Sequence, residues 1–238
     1  LNVIFTDDIT PYRTRKVRIL NGGHTSTVTL AYVAGLNYVK EMVEHPIIGK
    51  YLTDLLFDEV VPTIPGDDSE ILAFAQEVLE RFKNPYIKHA LLDITLNSTS
   101  KLAVRVIPSL VDFYSMSEKL PNRLLLSIAG YLRFYKITRT DGKAFFGMRD
   151  NGEEYPIRDD REILEYMKNI WDIPDAAPSL DQCRTIVEKA LSHPKLEAEA
   201  LLKVPAMIEK IALYLHNLLT KGSINTVNEI NIAKRGEE

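Results

Sequence analysis

Helix-start signals recur along this chain, and they leave little room for anything but a mainly helical fold. Thr10-Pro11 and Asn84-Pro85 each pair a capping residue with a proline suited to the first helical position. Asp67-Asp68-Ser69 caps the segment that follows it, and Ser179-Leu-Asp-Gln182 has the form of a capping box. Apolar residues then keep helical spacing, as at Ile71, Leu72, Ala75, Val78, Leu79 and Phe82. One stretch reads otherwise. FYKITRTDGKAFFGM carries β-favouring residues on either side of Asp141-Gly142 and predicts a hairpin, with a further turn at Asn151-Gly152.

The first helix is expected from Thr10 towards Tyr38, and His45-Pro46 then breaks the chain ahead of a short amphipathic helix. Asn84-Pro85 predicts a helix with His89, Asp93, Asn97 and Lys101 on one polar face, each four residues after the last. Ser109 to Tyr131 reads as one or two helices broken by Pro121. After Pro194 a long helical segment spans Lys195 to Leu219, closed by Gly222. The leading LNVIFTDDI reads as extended, and the tail NEINIAKRGEE as loose at its charged end.

Composition removes several function classes. With 238 residues, 45% hydrophobic and 26% charged, the chain is an ordinary globular one, and its net charge of −4 gives no support to nucleic-acid binding. A single cysteine, Cys183, excludes an internal disulfide and fits a reducing cytoplasm. It reads as a buried small residue. No apolar run approaches the ~20 residues of a membrane span. Zinc-type spacing, a G-x-S-x-G elbow and a Walker loop are absent from the sequence, and His45 has no ligand-type partner and reads as surface.

The chemistry concentrates in Pro11 to Gly35, PYRTRKVRILNGGHTSTVTLAYVAG, where Lys16, Asn21 and His24 stand close together around Gly22-Gly23. On a regular α-helix Asn21 and His24 lie roughly 60° apart and Lys16 roughly 80° from His24, so all three can line one wall of a cleft. Arg13, Arg15, Lys16 and Arg18 crowd a helix N-terminus, which disfavours cations. They either pair with Asp7 and Asp8 or await an anion. The two glycines cost roughly 1 kcal/mol each against alanine. Either the helix is interrupted there or something approaches its backbone closely.

Lys16-Val-Arg-Ile-Leu-Asn-Gly-Gly-His24-Thr resembles the K-x-R-x-L-N-G-x-H-[ST] signature of the polyol-specific long-chain dehydrogenases, the mannitol dehydrogenase family. A second stretch, RFKNPYIKHALLDITLNSTSKLAVRVIPSL, matches separately. Within that family the chain looks most like the hexuronate branch of tagaturonate reductase, or altronate oxidoreductase. The resemblance implies a multi-helical C-terminal substrate domain of the mannitol dehydrogenase and 6-phosphogluconate dehydrogenase type. It also implies NAD-dependent interconversion of a secondary alcohol and a ketone, with a small sugar acid as substrate. Lys16 would be the general acid/base, and Asn21 and His24 would bind and polarise the reacting oxygen.

Hydride delivery to a ketone leaves an alkoxide, which needs a proton and aimed donors. A lysine partly desolvated near other cations can exchange that proton near neutral pH. Lys101 matches a substrate-pocket lysine of the second motif. Arg105 could take a uronate carboxylate bidentately or form a plain surface salt bridge. Mannitol and fructuronate relatives carry a basic residue where this chain has Asp93. No G-x-G-x-x-G turn occurs, and the resemblance covers only the family's second domain; it implies that residues 1–238 are one C-terminal domain, with NAD bound by an N-terminal Rossmann domain outside this sequence. Fructuronate/mannonate or mannitol/fructose chemistry, and a non-catalytic helical interaction module, are the alternatives.

Overall fold

Two helices buried on nearly every side, Gly22–Val33 and Asn122–Phe134, cross at the centre of the protein. Nearly every residue of both is buried, the polar ones included, so neither gives a face to water. A computed structural model describes residues 5–84, 86–173 and 178–233. It begins with α1 (Thr10–Arg15), a π-helical segment (Lys16–Asn21), α2 (Gly22–Val33), α3 (Val39–Glu44) and α4 (Pro46–Asp54). A second π-helical segment (Leu55–Val60) leads to α5 (Asp68–Phe82), α6 (Leu91–Ile94), α7 (Ser98–Arg105), α8 (Ile107–Ser117) and α9 (Asn122–Phe134). A sheet of β1 (Arg139–Asp141), β2 (Ala144–Met148) and β3 (Glu154–Ile157) follows. The chain closes with α10 (Arg161–Ile170), α11 (Leu180–Leu191), α12 (Glu199–Leu202), α13 (Pro205–Lys221) and α14 (Ser223–Ala233).

α9 lies between α2 and α13, and α13 packs in turn on α11. The close approach of α2 and α9 depends on Gly130, where a Cβ would stand 2.5 Å from Leu30 Cγ, well inside contact distance. A buried polar knot fastens the outer helices to this core. Glu59, on the second π segment, accepts from the backbone N–H groups of Arg123 and Leu124 at 2.9 and 2.8 Å, and so caps the start of α9. The Arg123 guanidinium donates to Asp54 at 2.7 Å and lies 3.8 Å from Glu59, while Tyr51 donates to the Arg123 carbonyl.

The mainly α expectation holds, with the hairpin enlarged to three antiparallel strands. Asp141 pairs with Ala144, so the turn residues are Gly142 and Lys143, one position later than Asp141-Gly142. Asp67 caps α5 as predicted, and the Ser179 capping box forms. Pro121 separates α8 from α9.

Other expectations fail for tertiary reasons. The first helical run ends at Val33, short of Tyr38. His45 is no idle surface residue: its Nδ1 accepts from Ile47 and Ile48 N–H and caps α4. The helix predicted from Asn84-Pro85 does not form, and Asn97 sits left-handed at φ 54°, so His89, Asp93, Asn97 and Lys101 share no helical face. Lys195 to Leu219 is broken by left-handed Glu197 and again ahead of Pro205. The tail is helical as far as Ala233, and its last residues, 234–238, lie outside the described residues, as do residues 1–4 of the leading segment.

Candidate active site

Pro11 to Gly35 folds as one continuous helical run but not as one α-helix. Between Lys16 and Asn21 the bonding widens to i→i+5, and the Gly22 N–H reaches the Val17 carbonyl. On a regular α-helix Lys16 and Asn21, five residues apart, would point roughly 140° from each other. π-helical bonding draws residues five apart towards a common face. The 80° between Lys16 and His24 therefore does not carry across this segment, and Lys16 turns towards the side of Asn21.

The glycine pair is explained by the protein itself. A Cβ at Gly22 would stand 3.0 Å from the backbone oxygen of Arg105, and one at Gly23 would stand 3.3 Å from Leu56 Cδ2. The end of α7 thus approaches the helix backbone at the residue before the His24 turn. A side chain there would push that neighbour back by a few tenths of an ångström.

That approach places Arg105 beside His24. The Arg105 guanidinium donates to Thr25 Oγ1 at 3.3 Å, and Thr25 donates to the Asn21 carbonyl at 2.8 Å. The His24 ring lies flat on Phe82, with centroids 4.0 Å apart and planes 17° apart, and meets the His89 ring edge-on at 5.5 Å. Its Nε2 is buried with no hydrogen-bond partner, so Nδ1 is the nitrogen available to a ligand. Burial first, and then the charges of His89 and Arg105, push the His24 pKa down to about 3. His24 is therefore neutral at physiological pH and can donate or accept a hydrogen bond without carrying charge.

Lys101 and Arg105 lie one turn apart on α7. Burial, and for Lys101 also the neighbouring Arg105, lowers both pKa values, while Asp159 opposes the shift on Lys101. Lys101 Nζ donates to the Ile94 carbonyl at 2.7 Å. Among the described residues neither Lys101, Arg105 nor His89 forms an ion pair with a carboxylate, so the salt-bridge alternative for Arg105 has no partner. The cationic cluster at the helix start behaves differently. Arg15 pairs with Glu70 at 3.4 Å, and Arg18 pairs with Asp112, while Asp8 accepts from the Thr10 N–H. Their partners come from other elements and not from Asp7 or Asp8. Lys16 is exposed and makes no hydrogen bond or ion pair with any described residue.

Sequence reasoning missed Phe82 and His89 as neighbours of His24. Phe82 belongs to the apolar stripe of α5, and nothing in that periodicity marks its end as the floor of a site. His89 lies in the loop before α6, where helical spacing has no meaning. Elsewhere, a cavity of about 810 Å³ lined by Arg133, Lys136, Trp171 and Lys221 lies on a part of the protein that holds none of these residues. Cys183 is fully buried and its thiol is pushed up to about 11 by burial, so it is no nucleophile. Among the described residues no group of three or more His, Cys, Asp or Glu could hold a metal ion. None of their helices is long and apolar enough to cross a membrane.

The depressed His24 value carries a stability prediction. The folded protein binds fewer protons at His24 than the unfolded chain between about pH 3 and the ordinary 6.5. Stability from this site is therefore complete above about 6.5 and is lost as pH falls through that window. Between pH 7.5 and 5 the loss should be about 1 kcal/mol, half the ~2 kcal/mol of a full shift, because one edge of the ring stays accessible. Urea unfolding of wild type and His24→Gln at both pH values checks it. An identical acid loss in the two proteins would dismiss the buried neutral imidazole.

A family model described as the mannitol dehydrogenase C-terminal domain matches residues 8–212. Altronate oxidoreductase of Pectobacterium carotovorum is 34% identical over 223 residues, 93% of this chain and 44% of that protein. The Bacillus subtilis altronate oxidoreductase is 34% identical over 218 residues, 92% of this chain and 41% of that one. The chain thus spans under half the length of these curated relatives. Among solved structures, the Pseudomonas fluorescens mannitol 2-dehydrogenase ternary complex with NAD and D-mannitol superposes with a TM-score of 0.82 at 21% identity. That match covers 97% of this chain and 42% of that one. A D-sorbitol dehydrogenase in substrate-free form gives 0.75 at 18% identity, covering 93% and 41%. At those identities the likeness is one of fold.

Proposed function

The chain belongs to the mannitol dehydrogenase C-terminal domain family, and we propose that it is the substrate-binding half of an NAD-dependent oxidoreductase interconverting D-tagaturonate and D-altronate. The observation that carries the reading is the placing of Arg105 and His89 beside neutral His24, with Lys101 one turn from Arg105 and no ion pair from any of the three to a carboxylate among the described residues. Arg105 is a partly buried cation that forms no ion pair with the described residues, which is costly unless an anion arrives. A sugar acid brings one and a neutral polyol does not. The names of the 34%-identical relatives point the same way.

In this reading Asn21 and His24 Nδ1 hydrogen-bond the reacting oxygen, Lys16 exchanges its proton, and Lys101 and Arg105 hold the carboxylate end. NAD supplies or takes the hydride. The described residues contain no parallel strand–turn–helix unit, only an antiparallel sheet, so they do not fit a dinucleotide by themselves. NAD binding therefore falls to a Rossmann domain of the same protein outside this sequence, and the isolated chain is expected to be inactive. The single cysteine suits a cytoplasmic enzyme.

Fructuronate and mannonate fit the same cationic cluster and form the second reading. NADH oxidation by the two-domain protein, with tagaturonate, fructuronate and fructose offered separately, decides. A clear preference for tagaturonate supports the proposal. Preference for fructuronate keeps the mechanism and changes the sugar. Turnover of fructose alone would sink the sugar-acid reading.

A further inference from the structure

Of the side chains packed around His24, the His89 imidazole spends no polar atom on the described residues. Lys101 donates to the Ile94 carbonyl and Arg105 donates to Thr25, but the His89 ring makes no hydrogen bond with any described residue and is exposed. Its backbone is nevertheless fixed. The His89 carbonyl accepts from the Val39 N–H at 3.0 Å, the adjacent Ala90 bridges Tyr38, and the Leu91 N–H donates to the Asn37 carbonyl at 2.8 Å. The loop is thereby tied to the start of α3. The ring is held edge-on to His24 at 5.5 Å, and His24 is itself fixed by Phe82 beneath it. A free, positioned donor beside the imidazole that meets the reacting oxygen is badly accounted for as a surface residue.

We propose that His89 is a specificity-determining residue whose imidazole, together with the Arg105 guanidinium, binds the carboxylate of a keto sugar acid. The inference rests on the reading above and adds to it the residue that separates acid from neutral sugar. In such a substrate the carboxylate and the reacting carbonyl lie apart along the carbon chain. The group that reads the carboxylate must then stand some ångströms from the one that binds the carbonyl, and the spacing of the two imidazoles is of that order. A charge-assisted bond from His89 would add to those of Arg105 and Lys101 and would be absent for a ketohexose.

A charge series at this position in the two-domain protein tests it, read as the ratio of kcat/KM for the keto sugar acid to that for a neutral ketohexose. His89→Gln should lower the ratio about tenfold, chiefly by raising KM for the acid. His89→Asp should lower it further, and His89→Lys should return it towards wild type. Thermal midpoints check folding, and the Gln and Lys variants decide the matter if the Asp variant is unfolded. A merely structural residue would lower both activities together and leave the ratio unmoved, which overturns the assignment while the functional reading stands. A wild-type protein that turns over no keto sugar acid overturns both.

Discussion

Replacing Lys16 with alanine should cut kcat of the two-domain protein by roughly 10²–10⁴, the usual contribution of a positioned general acid. Thermal stability should stay within about 0.5 kcal/mol, because the side chain is exposed and holds no described partner whose loss would be felt. The two readouts together separate catalysis from folding. In the proposed reaction the ketone develops an alkoxide that must be protonated as it forms, and Asn21 and His24 are assigned to stabilise that oxygen without supplying the proton. Asn21 has none to give up. His24 is neutral, and donating its only ring proton would leave a buried anion. Lys16, drawn to the Asn21 side by the π-helical segment, is the residue proposed to supply the proton.

The described residues leave Lys16 exposed, and in the proposed reading the exclusion of water that tunes a catalytic ammonium falls to the Rossmann domain. For that reason the assay belongs on the two-domain protein. Undiminished kcat in the alanine variant would remove Lys16 from the mechanism and favour a helical module that keeps its motif for packing. Loss of kcat with unchanged KM is the expected signature of a group acting in the transition state alone.

Arg123→Met should destabilise the fold by about 3–5 kcal/mol, the cost of leaving a buried carboxylate without its cation. For a domain of this size that corresponds to a fall of roughly 10 °C in Tm. Arg123 is 6% exposed and Glu59 5%, and the guanidinium donates to Asp54 and faces Asp58 and Glu59. Burial raises the Glu59 carboxyl to about 7, against the pull of two backbone N–H donors and of Arg123 itself. A raised carboxyl holds its proton more firmly in the folded state. Its stabilising contribution is therefore complete below the ordinary 4.5 and is lost as pH rises through 7.

Removing Arg123 takes away one of the forces favouring the charged form, so the variant should weaken more steeply than wild type between pH 6 and 8. Adding Glu59→Gln should recover part of the loss at pH 8, since it removes the stranded charge while keeping an acceptor for the cap of α9. Urea unfolding of the three proteins at both pH values measures this. An Arg123→Met protein within 1 kcal/mol of wild type, or a double variant no better than the single, would show that the knot is solvated and carries little.

Local chemistry was readable wherever a residue acts on its own neighbours in the chain. Asp67 caps α5 and Ser179 with Gln182 caps α11, because a cap involves residues two or three positions apart and its geometry is the same in any protein. The hairpin, with its turn one residue later than expected, and the helical bulk of the fold were legible for the same reason. Lys16, Asn21 and His24 are proposed as a set because they share one short segment that carries the family signature.

What spacing alone could not reach was any position decided by contact with a distant element. The polar face expected of His89, Asp93, Asn97 and Lys101 assumed one helix, yet Asn97 is left-handed and the Asn97 N–H donates to the Arg158 carbonyl, a tertiary bond that outweighs helical propensity. The regular angles between Lys16, Asn21 and His24 assumed α geometry throughout, and the widening between Lys16 and Asn21 alters them where this run packs against α5 and α7. The glycine pair left open an interrupted helix or a close approach, and the groups that approach, the Arg105 carbonyl at Gly22 and Leu56 at Gly23, come from distant elements. The helices and their caps followed from interactions within a few residues. The grouping of His24 with Phe82, His89 and Arg105 was decided only by tertiary packing, because it depends on which surfaces meet once the core has closed.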